Sequence, residues 1–321
     1  MRSELAKYGS LLIVIIALLG SADARCSSCS SGEGVWDGPT WIESVLNGSS
    51  EEAVSTETES GAGIDEVGGT EFLIGAETDS YGVISSITAQ ELKERLDGGS
   101  KPAIAYVSNT PIQGSYIEGS IAFPSKSLIQ DDGYLKTVSD LAALLGNAGI
   151  SEDDDLVIYG DCFSCGDVTF VYWIMKYLGH QNVQMLEGTT GDWDAAGLSR
   201  SAALTTRPAV TYSPDPATEL LADYDDVAGG EFQVVDARVA DQFAAGHIDG
   251  AINIDYNRVI ENGWIKDSSD LAEIFVDLKK DRPVAVYTKN GGQASIVWYA
   301  LMLQGYDASL YTWNDWLRHQ S

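Results

Sequence analysis

The chain reads as an α/β protein built from two similar domains, each a central parallel sheet flanked by helices on both faces. Two observations predict this class. Short, wholly apolar runs such as PAIAYVS (102–108) and DLVIYGD (155–161) are bounded by polar turns and separated by helix-like segments, the texture of strands buried on both sides. The same order of runs then recurs. Gly119 and Gly250, Tyr159 and Tyr287, Gly179 and Gly305, and Trp193 and Trp316 are equivalent pairs standing 131, 128, 126 and 123 residues apart. The slow drift fits small loop deletions in the second copy, and a period of this size suits a pair of domains rather than a solenoid.

Taken in order, residues 1–24 have the layout of a signal peptide: Arg2 and Lys7, an apolar stretch from Leu11 to Leu19, then the small residues Ala22 and Ala24. The apolar run is shorter than a membrane-spanning helix needs, so the expectation is an exported protein cleaved near Ala24, with an uncleaved N-terminal anchor as the alternative. Residues 25–82 read as an acidic Gly/Ser/Thr-rich spacer, disordered for want of apolar residues. Between Arg25 and Lys93 it contains no Lys, Arg or His, and it carries Cys26, Cys29 and an Asn47-Gly-Ser49 glycosylation pattern. The whole chain of 321 residues has a formal charge of −29. Such a charge repels phosphate backbones and anionic headgroups, which excludes nucleic acid as a partner class.

Residues 83–198 form the first domain. Thr88-Ala-Gln-Glu91 is a capping box that opens a helix ending at Gly98-Gly99, and FVYWIMKYLGH (170–180) reads as a largely buried helix after the strand that ends at Tyr159. Residues 199–216 form a connector, and residues 217–321 the second domain. Trp173, Trp193, Trp298 and Trp316 fall at helix or helix-start positions and are expected in packing roles.

The chemistry concentrates in YGDCFSCGDVT (159–169). Cys162 and Cys165 stand in a Gly- and Asp-rich turn between a strand and a helix. The spacing alone is compatible with a reactive thiol, with a disulfide, or with half of a zinc site completed by Cys26 and Cys29. Four cysteines allow three pairings. In the second copy the corresponding stretch is YTKNGGQAS (287–295), which has no thiol.

FQVVDARVADQFAAGHIDGAINI (232–254) followed by PVAVYTKNGGQASIVWYALMLQGY (283–306) closely resembles the rhodanese domain, and the two copies together resemble the tandem-domain thiosulfate/3-mercaptopyruvate sulfurtransferases. The resemblance covers about Ile84 to the C-terminus. It implies an active loop cradled between the sheet's edge and a helix N-terminus, whose cysteine accepts a sulfane sulfur as a persulfide without metal or organic cofactor. The second copy has Thr288 at that cysteine's place, so its loop, Thr288, Lys289, Asn290, Gly291, Gly292 and Gln293, is expected to be degenerate. Asp236, Arg238 and His247 then serve the fold. Counted back from the helix end, Cys162 and Thr288 both stand 17 residues before a glycine, Gly179 and Gly305. Cys162 is therefore the candidate nucleophile, Cys165 the resolving or assisting thiol, and the backbone amides of Phe163, Ser164, Gly166, Asp167 and Val168 the expected anion cradle. The loop CFSCGDVT holds no Lys or Arg, which disfavours dianionic thiosulfate and suits a small persulfide or polysulfide donor or a persulfide- or dithiol-bearing protein. A non-catalytic binding module and a C-x-x-C thiol-disulfide redox protein are the alternatives, and the oligomeric state is left open.

Overall fold

The computed structural model describes residues 84–108, 115–125, 128, 135–289 and 291–320. The signal-peptide and spacer assignments, Cys26, Cys29, Asn47 and Asn290 lie outside the described residues. The first half opens with β1 (Ser86–Ile87) and α1 (Ala89–Asp97). Helix α1 starts where Thr88 accepts from the Glu91 amide at 3.2 Å while the Glu91 carboxylate accepts from the Thr88 amide at 2.9 Å, the reciprocal cap expected from TAQE. There follow β2 (Ala103–Tyr106), β3 (Tyr116–Ile117), β4 (Ile121–Ala122), α2 (Val138–Asn147), β5 (Leu156–Tyr159), α3 (Asp167–Tyr177), β6 (Val183–Leu186), α4 (Thr190–Ala195) and β7 (Arg200–Ser201). Strands β1-β6-β5-β2-β4 form one parallel sheet, in which Tyr106 is level with Tyr159. Strands β2 and β5 are buried at every position, because helices cover both faces.

After a turn of 3₁₀ helix at Thr218–Leu220, the second half repeats the plan. It runs α5 (Tyr224–Ala228), β8 (Gln233–Asp236), α6 (Ala240–Ala245), β9 (Ile252–Asn253), β10 (Ile260–Glu261), β11 (Trp264–Ile265), α7 (Ser268–Ile274), β12 (Val284–Thr288), α8 (Gly292–Leu303), β13 (Ala308–Thr312) and α9 (Trp313–His319). Strands β13-β12-β8-β9 are parallel, and Leu221 bridges to Leu310 at the edge where β1 lies in the first half. Equivalent caps support the duplication. Thr189 with Asp192 opens α4, and Thr312 with Asp315 opens α9.

The halves meet through α3 and α8, and this explains why α3 is buried at every residue from Val168 to Tyr177. One side of the helix faces its own sheet and the other faces α8. The hydroxyls of Thr169 and Ser295, at equivalent places in the two copies, lie 2.7 Å apart across the contact. The Tyr172 ring lies edge-on to Tyr299 at 5.4 Å, and one apolar core runs through both halves. Trp173, Trp193 and Trp298 are buried, and Trp316 packs against the core from its rim.

The connector is a strap laid on the first half. Strand β7 pairs antiparallel with β3, the Arg207 guanidinium holds both oxygens of Asp154 at 2.7 and 2.8 Å, and the Val210 amide donates to the Gly146 carbonyl at 2.9 Å. Tyr212 is buried with its ring stacked on His180.

Candidate active loop at the junction of the two halves

The loop leaves the C-terminal edge of β5, where ligand-binding loops of open parallel sheets gather. Gly160 is required there because a Cβ would stand 2.4 Å from the Val107 carbonyl oxygen. The Asp161 carboxylate accepts a hydrogen bond from the Tyr106 hydroxyl. Crowding by the surrounding protein raises the Asp161 pKa, opposed by that hydroxyl and by the positive charge of Arg200. Next, Cys162 and Cys165 are joined in a disulfide, with their Cα atoms 5.4 Å apart. The turn between them closes through the Gly166 amide donating to the Phe163 carbonyl at 3.1 Å. Ser164 Oγ lies 3.6 Å from Cys162 Sγ.

Gly166 ends the loop and caps α3 with φ of 83°, a left-handed conformation open to glycine at no steric cost. A Cβ on it would stand 2.6 Å from the Gly292 carbonyl oxygen at the start of α8, so the two loops meet back to back through glycine. Phe163 is buried, its ring 4.5 Å from that of Trp264 in the second half. Trp264 sits on the β10–β11 hairpin, whose turn is Asn262-Gly263 with φ of 51° and 80°.

These contacts correct part of the expected anion cradle. The Gly166 amide is spent on the loop's own turn, and the Phe163 side chain is buried in the core. Val168 is buried, while Ser164 and Asp167 are half-buried. The sulfurs of Cys162 and Cys165 are committed to each other. The zinc alternative needed Cys26 and Cys29, which are not described, and no cluster of three or more potential metal ligands occurs among the described residues.

In the second half, Thr288 is the last residue of β12, level with Thr312, and is buried. Its hydroxyl accepts from the Gly291 amide at 3.0 Å, so this oxygen caps its own loop. Gly291 has φ of 82°, Gly292 and Gln293 begin α8, and Lys289 is exposed. The strand register makes Gly160 the counterpart of Thr288, since each directly follows the equivalent tyrosine, Tyr159 or Tyr287. The count from the helix end places Cys162 there. The two counts differ by two because the first loop is three positions longer, seven from Tyr159 to Gly166 against four from Tyr287 to Gly291, while α8 is one residue longer than α3.

Asp236 and Arg238 form a buried ion pair at 2.6 Å; Arg238 also donates to the Gly246 carbonyl at 2.7 Å and lies over Trp313 at 4.5 Å. Tyr287 donates to Asp236 at 2.7 Å and accepts from the Ile248 amide at 3.2 Å. His247 stacks on Phe243 and bonds the Phe243 carbonyl at 3.0 Å. Asp236, Arg238 and His247 thus each find partners within the second half. In the first half Tyr106 takes the level of Asp236, and Tyr159 likewise accepts from the Ile117 amide at 2.9 Å but pairs with Ser120 in place of a carboxylate.

Sequence reasoning missed Tyr106 as the partner of Asp161, and Trp264 as the wall against Phe163. The Asn-Gly pair between Glu261 and Trp264 does signal a hairpin. Its landing on the other half's loop depends on how the halves dock, which local sequence does not encode.

The comparisons with known proteins agree with this architecture. Residues 216–318 match the rhodanese-like domain family. Over 230 residues the chain is 30% identical to a Haloferax volcanii protein named "Putative thiosulfate sulfurtransferase", covering 63% of this chain and 80% of the relative. The crystal structure of the 3-mercaptopyruvate sulfotransferase SseA from Escherichia coli superposes with a TM-score of 0.63 at 22% identity, covering 71% of this chain and 98% of that one. Tum1 from Saccharomyces cerevisiae gives a TM-score of 0.65 at 17% identity, covering 74% and 96%. With its two parallel-sheet halves, its loop at the strand edge and these relatives, the chain belongs to the rhodanese-like sulfurtransferase family.

Proposed function

We propose that the protein is an exported sulfurtransferase that carries sulfane sulfur as a persulfide on Cys162, with the second half acting as a non-catalytic support. The observation that carries this reading is the placement of Cys162 in the strand-to-helix loop of the first half, while the sister loop presents a buried threonine hydroxyl already engaged by Gly291. A hydroxyl cannot hold a persulfide, and a thiolate near the N-terminus of an eleven-residue helix has its charged form favoured. The disulfide is the resting form of the loop, opened by a dithiol before sulfur can be loaded. With Asp161 beside Cys162 and no Lys or Arg in CFSCGDVT, a persulfide, polysulfide or monoanionic thiosulfonate suits the loop better than thiosulfate. The N-terminal layout supports export, and an oxidising compartment fits a standing disulfide.

The test is sulfur transfer from polysulfide to a dithiol acceptor by the reduced full chain. Cys162→Ser should lower the rate by roughly a hundredfold or more, and Thr288→Ala should leave it unchanged. Full transfer by Cys162→Ser would refute the reading.

A further inference from the structure

The geometry points to a persulfide-reducing activity of the same loop: Cys165 attacks the persulfide on Cys162, releases its outer sulfur as hydrosulfide and leaves the observed Cys162–Cys165 bridge. This rests on the persulfide reading and adds the product and the reductant to it.

Three features carry it. The two cysteines are already brought together by the backbone, since the Gly166 amide closes the turn on the Phe163 carbonyl at 3.1 Å and the Cα atoms are 5.4 Å apart. The turn is held at both ends from outside the loop. Phe163 packs against Trp264, and left-handed Gly166 fits under the Gly292 carbonyl, where a Cβ would come within 2.6 Å. Packing holds the turn alongside the bridge, so in the reduced state Cys165 stays close to Cys162 at a high effective concentration. The Ser164 hydroxyl, 3.6 Å from Cys162 Sγ, is placed to donate to the Cys162 thiolate that first takes up the sulfur. The sister loop, three positions shorter between its tyrosine and its left-handed glycine, has neither cysteine.

The chemistry balances in two steps. Cys162 thiolate takes the terminal sulfur of a thiosulfonate and expels a sulfinate, which gives the persulfide. Cys165 thiolate then attacks Cys162 Sγ. A bond forms between the two cysteine sulfurs, the bond from Cys162 Sγ to the outer sulfur breaks, and that sulfur leaves as hydrosulfide, taking its electron pair and the persulfide proton. The sulfane sulfur is reduced by two electrons, and the two thiols are oxidised to the disulfide. Further turnover needs an external dithiol, small or protein-borne, which reduces the bridge and becomes a disulfide itself.

The test uses the full chain in a Cys26→Ser/Cys29→Ser background, reduced, freed of reductant and given benzenethiosulfonate, whose own by-product is a sulfinate and not sulfide. With Cys162 and Cys165 intact, sulfide should appear at about one equivalent per chain together with the bridge, read by thiol counting and peptide mass. With Cys165→Ser added, the persulfide should persist on Cys162 and sulfide release should fall by roughly tenfold or more. A persulfide equally long-lived with and without Cys165 overturns the inference and leaves the carrier role standing. No sulfur adduct in either protein overturns both.

Discussion

At the scale of single residues, the loop's behaviour is set by a few charges and contacts. Asp161 places a carboxylate next to Cys162 and is tied to Tyr106. Its negative charge disfavours the thiolate, so Asp161→Asn should speed alkylation of reduced Cys162 at neutral pH by about two- to fivefold, measured as the rate of iodoacetamide labelling. Lys176 shows a different economy of charge. It is fully buried in α3 with its ammonium on the Gln181 carbonyl at 2.9 Å, and burial pushes its pKa down to about 8. The unfolded chain binds the proton more tightly, so stability from this group rises with pH between about 8 and the ordinary lysine value of about 10.4. At pH 7 the buried charge is a cost. Lys176→Met should therefore raise the unfolding free energy by about 1–3 kcal/mol at pH 7, with the gain shrinking by pH 10; denaturant titrations at the two pH values check it.

At the scale of elements, the glycine contact between loops and the connector strap are the parts most exposed to failure. Gly166→Ala forces a Cβ toward the Gly292 carbonyl at a φ of 83°, and should lose about 2–4 kcal/mol, visible as a lowered denaturation midpoint. The strap depends on His180, buried under Tyr212 with its ring bonded to the Asp154 carbonyl at 3.0 Å. Burial depresses the His180 pKa, Lys176 adds to this and Asp154 opposes it. The stabilising contribution is thus fully present above the ordinary histidine value of about 6.5 and is lost as pH falls below it. Thermal unfolding followed from pH 7 to pH 5 should show a falling midpoint, and His180→Phe should flatten that dependence. Elements were largely legible in the sequence. The TAQE cap, the apolar strands and the buried helix after Tyr159 follow from local propensity and hydrophobic pattern. The connector was read only as a link, because its hold on the first half comes from long-range contacts such as Arg207 with Asp154 and Val210 with Gly146.

At the scale of the whole molecule, duplication explains both what the sequence revealed and what it hid. The spacing of Gly119 with Gly250 and of Tyr159 with Tyr287 exposes two copies in the sequence itself. The face each copy turns to the other was not exposed, because α3 and α8 carry apolar residues on every side. For the same reason the site was half legible: Cys162 and Thr288 follow from alignment of the copies, whereas Trp264, Tyr106 and the Gly166–Gly292 contact needed the fold. Since one core runs through both halves, they should unfold together. Trp298→Ala, in the second half but packed near Tyr172 of the first, should cost about 3–5 kcal/mol and keep a single transition by both fluorescence and circular dichroism; two separated transitions would contradict the shared core. The most direct measurement of the central claim is peptide mass mapping of the reduced full-length chain after exposure to polysulfide and alkylation. The account predicts one added sulfur atom on the peptide bearing Cys162 in Cys165→Ser; sulfur found on Cys26 or Cys29 alone, with Cys162 unmodified, would contradict it.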